Sequence, residues 1–312
     1  MRIYISADME GVTGLVDAGD VQPGGRDYEP GRVMMTEDVN AAVRGALAGG
    51  AAQVTVNDAH GRMRNLLPDL LHPAVALIRG RPKPMGMLEG LTGKFDATVC
   101  IGYHARAGAL GVLSHSFMGH EIEDMWLDDW PAGEIGLVHA TAAALGAPVI
   151  ALSGDDAAAA EMTGWDPAVA TIAVKCARDR FAAELRPVAQ AREAIELAVR
   201  GAVRAAGQRA SEERADGGGQ ADGGGQADGG GQADGGGQAD RGSGAAGAGE
   251  VPRTLAIRWQ SASVPAQLAC IPGVTLRDSR TAQVTGAMPD LFRMLSVFIS
   301  VAAALTGQPP YC

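Results

Sequence analysis

Only four cysteines occur in the 312 residues, and none form a Cys-x-x-Cys pair. Cys100, Cys176, Cys270 and Cys312 are too scattered for a thiolate zinc site or a disulfide framework, so reduced thiols are expected. Long apolar runs are missing as well. The most apolar stretch, residues 294–305, contains Ser296 and Ser300 and is too short to span a bilayer. The opening MRIYISADMEG carries Asp8 and too brief an apolar run for a signal peptide, so a cytoplasmic location is expected. Positive charge is in deficit, with 26 Lys and Arg against 36 Asp and Glu. Half of the net −10 belongs to Asp216, Asp222, Asp228, Asp234 and Asp240 in one repetitive segment, which leaves a mildly acidic body. Without a basic face, neither nucleic acid nor an anionic membrane is an expected partner. No Gly-x-Gly-x-x-Gly follows the first strand-like run and no Gly-Lys-Ser/Thr occurs, which removes the usual support for dinucleotide or P-loop binding.

What is present is globular: 46% hydrophobic and 20% charged residues, enough for one large or two modest domains. From Ala215 to Gln238 the hexapeptide ADGGGQ occurs four times. Glycine loses the most backbone entropy on ordering and these repeats offer only alanine in return, so residues 209–250 read as a flexible insert. Elsewhere short β-branched runs at residues 2–8, 53–57, 74–78 and 98–103 read as strands, with a helix at 30–48 between the first two. Residues 122–127 alternate. Further helices are expected at 135–145, 155–163, 186–206 and 290–305, and strands at 149–153, 170–176, 254–259 and 274–277. This alternation predicts an α/β fold: a largely parallel sheet flanked by helices, with a second, smaller α/β C-terminal domain. The expected division is 1–165 as a metal-binding catalytic domain, and 166–208 plus 251–312 as the C-terminal domain.

Ligands of such sheets bind outside the carboxyl ends of the strands. Three predicted strands end there in metal-capable residues: Asp8 and Glu10, then Asp58 and His60, then His104. Taken singly, each has a plain structural explanation as a cap, a turn or a core imidazole, and Asp58 either caps a turn or orients His60. Together, carboxylates and imidazoles converging on one rim suit zinc or a similar divalent ion. Glu134 opens the helix at 135–145, where it can face the rim or complement the helix dipole. Of the other histidines, His72 and His139 read as structural. His120, beside Glu121 and Glu123, reads as a surface ion-pairing residue, and the acids between 121 and 129 as a solvated strand face.

At these residues the chain resembles a known family. SADMEG at 6–11, NDAHGRM at 57–63, GYHARAG at 102–108, SHS at 114–116 and AGEIGL at 132–137 look like the successive motifs of the DppA-type zinc-dependent D-aminopeptidases. PGRVMMTEDVN and KPMGMLEGL fit as well, and the likeness covers about residues 1–206 and resumes near Arg253. The ADGGGQ insert departs from the pattern. The resemblance implies two Zn2+ per subunit held by Asp8, Glu10, His60, His104 and Glu134, with His115 acting in the chemistry. It also implies short peptides with amino-terminal D-residues as substrates, and a homodecamer of two stacked five-membered rings.

Five ligands suffice for two ions only if one is shared, and a bridging carboxylate, most naturally Asp8, would do this. Rival readings keep the metal pair but change the substrate to another amide or a phosphoester, or make the protein a non-catalytic, metal-stabilised peptide-binding or assembly protein. Metal content separates the last from the others.

Overall fold

The computed structural model describes residues 1–217 and 251–308. In chain order the strands are β1 (Arg2–Ala7), β2 (Gln53–Asp58), β3 (Val75–Ile78), β4 (Ala97–Tyr103), β5 (Ile122–Leu127) and β6 (Trp130–Pro131). They continue with β7 (Val149–Asp155), β8 (Ala170–Asp179), β9 (Ala182–Leu185), β10 (Arg253–Trp259), β11 (Val274–Asp278) and β12 (Thr281–Gly286). The α-helices are α1 (Ala18–Val21), α2 (Tyr28–Ala48), α3 (Glu134–Ala144), α4 (Asp156–Trp165), α5 (Val188–Gly217), α6 (Ser263–Leu268) and α7 (Met288–Thr306).

The first sheet runs β3-β2-β1-β4-β7-β8-β9 and is parallel except for the final β8–β9 pair. Its central strand explains the near-continuous apolar reading of RIYISA. Ile3, Ile5 and Ala7 face a core built with α2 and α5, while Tyr4 faces a second core on the opposite side. A strand covered on both faces has no solvent side on which to alternate. From β1 the chain crosses to β2 on one side, whereas β4 leads on to β7 on the other. Connections thus part at the carboxyl ends of β1 and β4, which opens a crevice at a topological switch point.

The second sheet, β11-β12-β10-β5-β6, is antiparallel. Sheet membership does not follow the expected division at residue 165. β5 and β6 join the second sheet, and β8 and β9 the first. The alternation in β5 is the cause: Ile122, Met125 and Leu127 are buried, while Glu123 and Asp124 face outward. Such a half-buried strand suits an antiparallel sheet. The acids read as a solvated face instead form ion pairs: Glu123 with Arg258 and Arg280, Asp124 with Arg106, Asp128 with Arg253, and Asp129 with Arg277.

Two further expectations change. Residues 209–217, assigned to the insert, continue α5, and the rest of the ADGGGQ segment, from residue 218 to 250, lies outside the described residues. The terminal helix α7 runs two residues earlier than expected and is the one helix among the described residues long and apolar enough to cross a membrane. Its buried positions are Met288, Leu291, Phe292, Leu295, Phe298, Ile299 and Ala302. That three-four spacing is the stripe of a core helix, and it packs against α3, α6 and β12.

Candidate metal centre and active site

At the switch point, glycines at two positions let the loops after β1 and β4 touch. A side chain at Gly11 would meet Tyr103 O at 1.9 Å, and one at Gly102, where φ is +73°, would meet Asp8 O at 2.3 Å. With no side chains in the way, Gly11 N donates to Gly102 O at 2.8 Å, which draws Asp8 and Glu10 beside His104. The β1 loop is held from below by Lys175 of β8, which is fully buried. Its Nζ donates to the carbonyls of Glu10, Val12 and Leu15.

Asp8, Glu10, His60, His104, His115 and Glu134 are thereby gathered into one buried cluster. His60 Nδ1 lies 3.3 Å from Asp8 Oδ1 and 3.0 Å from Glu10 Oε2. His104 Nε2 lies 3.6 Å from Asp8 Oδ2 and 3.5 Å from Glu134 Oε1. Asp8 therefore turns one oxygen toward His60 and Glu10 and the other toward His104 and Glu134. His115 stacks on His104 with ring centroids 4.2 Å apart, and its Nε2 is 4.0 Å from both Glu10 Oε1 and Glu134 Oε1.

Backbone carbonyls set the imidazoles. With Val21 O 2.9 Å from His60 Nε2, Ala105 O 2.9 Å from His104 Nδ1 and Leu113 O 2.9 Å from His115 Nδ1, each ring donates outward and turns its other nitrogen to the cluster. Glu134 Oε1 accepts from Phe117 N at 2.6 Å. Asp58 turns out to hold the His60 turn: it accepts from Asn65 N and Leu66 N, while Asn65 Nδ2 bridges Asp58 Oδ1 and His60 O. Leu113 and Phe117 flank His115 with φ of 52° and 54°. Bulky residues hold that left-handed conformation at about 1–3 kcal/mol each, a strain common around functional groups.

Electrostatically the cluster is arranged for cations. Asp8 Oδ2, Glu10 Oε2 and His104 Nε2 are buried without a hydrogen-bond partner, although His60 Nδ1 approaches Glu10 Oε2 closely. Three buried polar atoms of the cluster thus lack a hydrogen bond, a costly arrangement that a divalent ion would relieve. Burial, and then the charge of Glu10, pushes the Asp8 carboxyl up to about 7. Burial alone would raise Glu10 too, but His60 above all holds it well below the usual carboxylate range. Glu134 is likewise lowered by His104 against its burial. Burial opposes charge on His60 and His104, yet both are raised, His60 chiefly by Glu10 and His104 chiefly by Glu134. His115 is lowered by burial and by the His104 charge.

Every residue singled out from the sequence as a ligand is in this cluster, together with His115; His72, His120 and His139 are in none of its donor groups. Sequence reasoning missed Lys175 and also Lys83, whose Nζ donates to Asn57 Oδ1 and Asp58 O at 2.7 Å each. No local pattern marks either lysine.

A mostly parallel α/β sheet thus carries, at its carboxyl rim, a buried acid–imidazole cluster able to hold divalent metal. The chain belongs to the D-aminopeptidase family, whose profile matches residues 1–216. A D-aminopeptidase of Bacillus subtilis (strain 168) is 42% identical over 191 residues, which span 61% of this chain and 69% of that protein. A solved structure, the Zn-dependent D-aminopeptidase DppA from Bacillus subtilis, a self-compartmentalizing protease, superposes with a TM-score of 0.78. That superposition has 29% identity and covers 97% of this chain and 98% of the other.

Proposed function

We propose that this protein is a zinc-dependent aminopeptidase that hydrolyses short peptides with an amino-terminal D-residue, using two Zn2+ per subunit. One observation carries the two-ion reading. The oxygens of Asp8 serve two donor groups, Glu10 with His60 and His104 with Glu134. When bound, such a pair lowers the pKa of water and polarises a peptide carbonyl. The chain's own residues do the rest. Asp8 would be shared, Glu10 and His60 would hold one position, and His104 and Glu134 the other. Met87, Phe117 and Ala59 line the small hollow and limit water. His115 Nε2, an acceptor facing the cluster, can take a proton at that atom and return it to the departing amine. Likeness over 97% of the chain to a self-compartmentalizing protease supports a closed ring assembly, the homodecamer that the sequence resemblance implies.

The test is a substrate panel. D-Ala-D-Ala and D-Ala-Gly should be cleaved, L-Ala-L-Ala should be cleaved poorly, and chelator should abolish all turnover until zinc is restored. Cleavage that ignores chelator, or that prefers the L-peptide, would refute the reading.

Zinc affinity should also rise steeply with pH. Without metal the cluster keeps protons near neutrality, because burial pushes the Asp8 carboxyl up to about 7 and the neighbouring acids raise His60 and His104. Zinc must displace those protons, so lowering the pH from 8 to 6 should weaken binding by about tenfold per unit for each proton released. Calorimetry in buffers of different ionisation enthalpy counts them, and binding without proton release would contradict the cluster's charge state.

A further inference from the structure

His115 is a wall shared by two hollows. On one side is the acid–imidazole cluster. On the other, a cavity of about 520 Å³ opens between Arg180 at the β8–β9 turn, the start of β5, and Gln260 after β10. On the aminopeptidase reading the cluster would take the amino end of a peptide, which leaves this larger space to be filled by the rest of the peptide.

The charged groups around the cavity differ in how far they are committed. Glu123 is paired with Arg258 at 3.2 Å and with Arg280 at 2.8 Å. Glu121 is buried, and its Oε1 accepts from Ser261 N at 2.8 Å. Burial lowers the pKa of His120 and so favours its uncharged form. Arg180 differs from all of these. It is exposed, lies with its guanidinium 5.4 Å from the centroid of the Phe181 ring, and makes no ion pair among the described residues.

Its backbone is also tied to His115. Arg180 O accepts from Leu113 N at 2.8 Å, and Leu113 O accepts from His115 Nδ1 at 2.9 Å. One residue, Leu113, thus fixes both the imidazole and the root of the arginine. An extended dipeptide spans about 7 Å, which suits a chain that starts at the cluster, passes His115 and ends within reach of an arginine side chain rooted there. A guanidinium forms paired hydrogen bonds with a carboxylate.

We infer that this cavity receives the carboxyl-terminal part of a short peptide and that Arg180 pairs with its terminal carboxylate. The inference rests on the aminopeptidase reading above and deepens it, naming unblocked di- and tripeptides as the substrate class. Arg180 is then a specificity-determining residue that takes no part in bond cleavage.

The experiment compares D-Ala-D-Ala with its carboxyl-terminal amide on the zinc-loaded full chain, in wild type and in Arg180→Gln. Wild type should favour the free acid by about tenfold in kcat/KM, in line with one partly exposed charge-assisted pair. R180Q should lose that preference through KM, with kcat on the acid and all constants on the amide little changed. Equal treatment of acid and amide by wild type, or an R180Q loss that falls alike on both, would overturn the assignment while leaving the peptidase reading intact. No turnover of either substrate by wild type would overturn the peptidase reading, and this inference with it.

Discussion

Asp8→Ala is expected to empty the metal centre of both ions, whereas His60→Ala should weaken mainly one. Asp8 turns Oδ1 toward His60 at 3.3 Å and Oδ2 toward His104 at 3.6 Å, whereas Glu10, which also faces two histidines, is close only to His60 and stands 4.0 Å from His115. Removing it leaves Glu10 with His60 on one side and Glu134 with His104 on the other, each too few for a closed tetrahedral zinc. The variant should fold, because the backbone path of the β1 loop is fixed independently by Lys175 and by Gly11 N on Gly102 O. Far-UV circular dichroism should therefore match wild type while metal analysis falls from about two zincs per chain to near zero, and turnover falls with it. Two tightly held ions in D8A would make the shared carboxylate wrong. A variant that keeps one ion would show that the two positions are independent.

How much of this could be read from the chain follows from what each residue owes to local sequence. Asp8, Glu10, His60 and His104 were legible because each ends a predicted strand of a parallel sheet, and such a sheet delivers all its carboxyl ends to one rim. Glu134 was legible as the first residue of a helix, but its turn toward the rim also depends on the Phe117 N–H, which no spacing predicts. The groups that fix the imidazole tautomers are carbonyls of Val21, Ala105 and Leu113, and a backbone carbonyl leaves no mark on residue identity. Lys175 sits in a strand of mixed burial, and nothing in the local sequence marks it as buried. It is buried because its three acceptors lie some 160 positions earlier in the chain. Similarly, the alternation in β5 announced a half-buried strand but not its partner. That partner, β10, lies beyond the ADGGGQ segment, and the arginines that select it come from β10 and from the turn before β12.

His115→Ala should separate chemistry from metal binding. The stacked pair His104–His115 makes the two rings look equivalent, but their surroundings differ. His104 Nε2 is 3.5–3.6 Å from two carboxylates, buried and without a partner. His115 Nε2 stands 4.0 Å from its nearest acids and its ring also faces the larger cavity. Both rings belong to one possible donor group with Glu10, but only His115 also lines the larger cavity. Anchored at Nδ1 by Leu113 O and shifted by burial toward its neutral form, His115 presents a base to the reacting side. The position also admits direct attack by the imidazole, but metal held by the cluster would supply an activated water as nucleophile, which leaves proton transfer as the task that needs a movable acceptor. Loss of such a group costs about 10²–10⁴-fold in kcat. H115A should show that loss with two zincs still bound and with little change in fold. The absence of a side chain at Gly119 leaves room for the imidazole, since a Cβ there would come within 2.9 Å of His115 Cβ. His120→Ala supplies the control, since His120 lines the cavity without joining the donor groups. Near-normal turnover in H115A with a deep loss in H120A would move the proton-transfer role five residues along the chain, and loss of one zinc in H115A would make His115 a ligand instead.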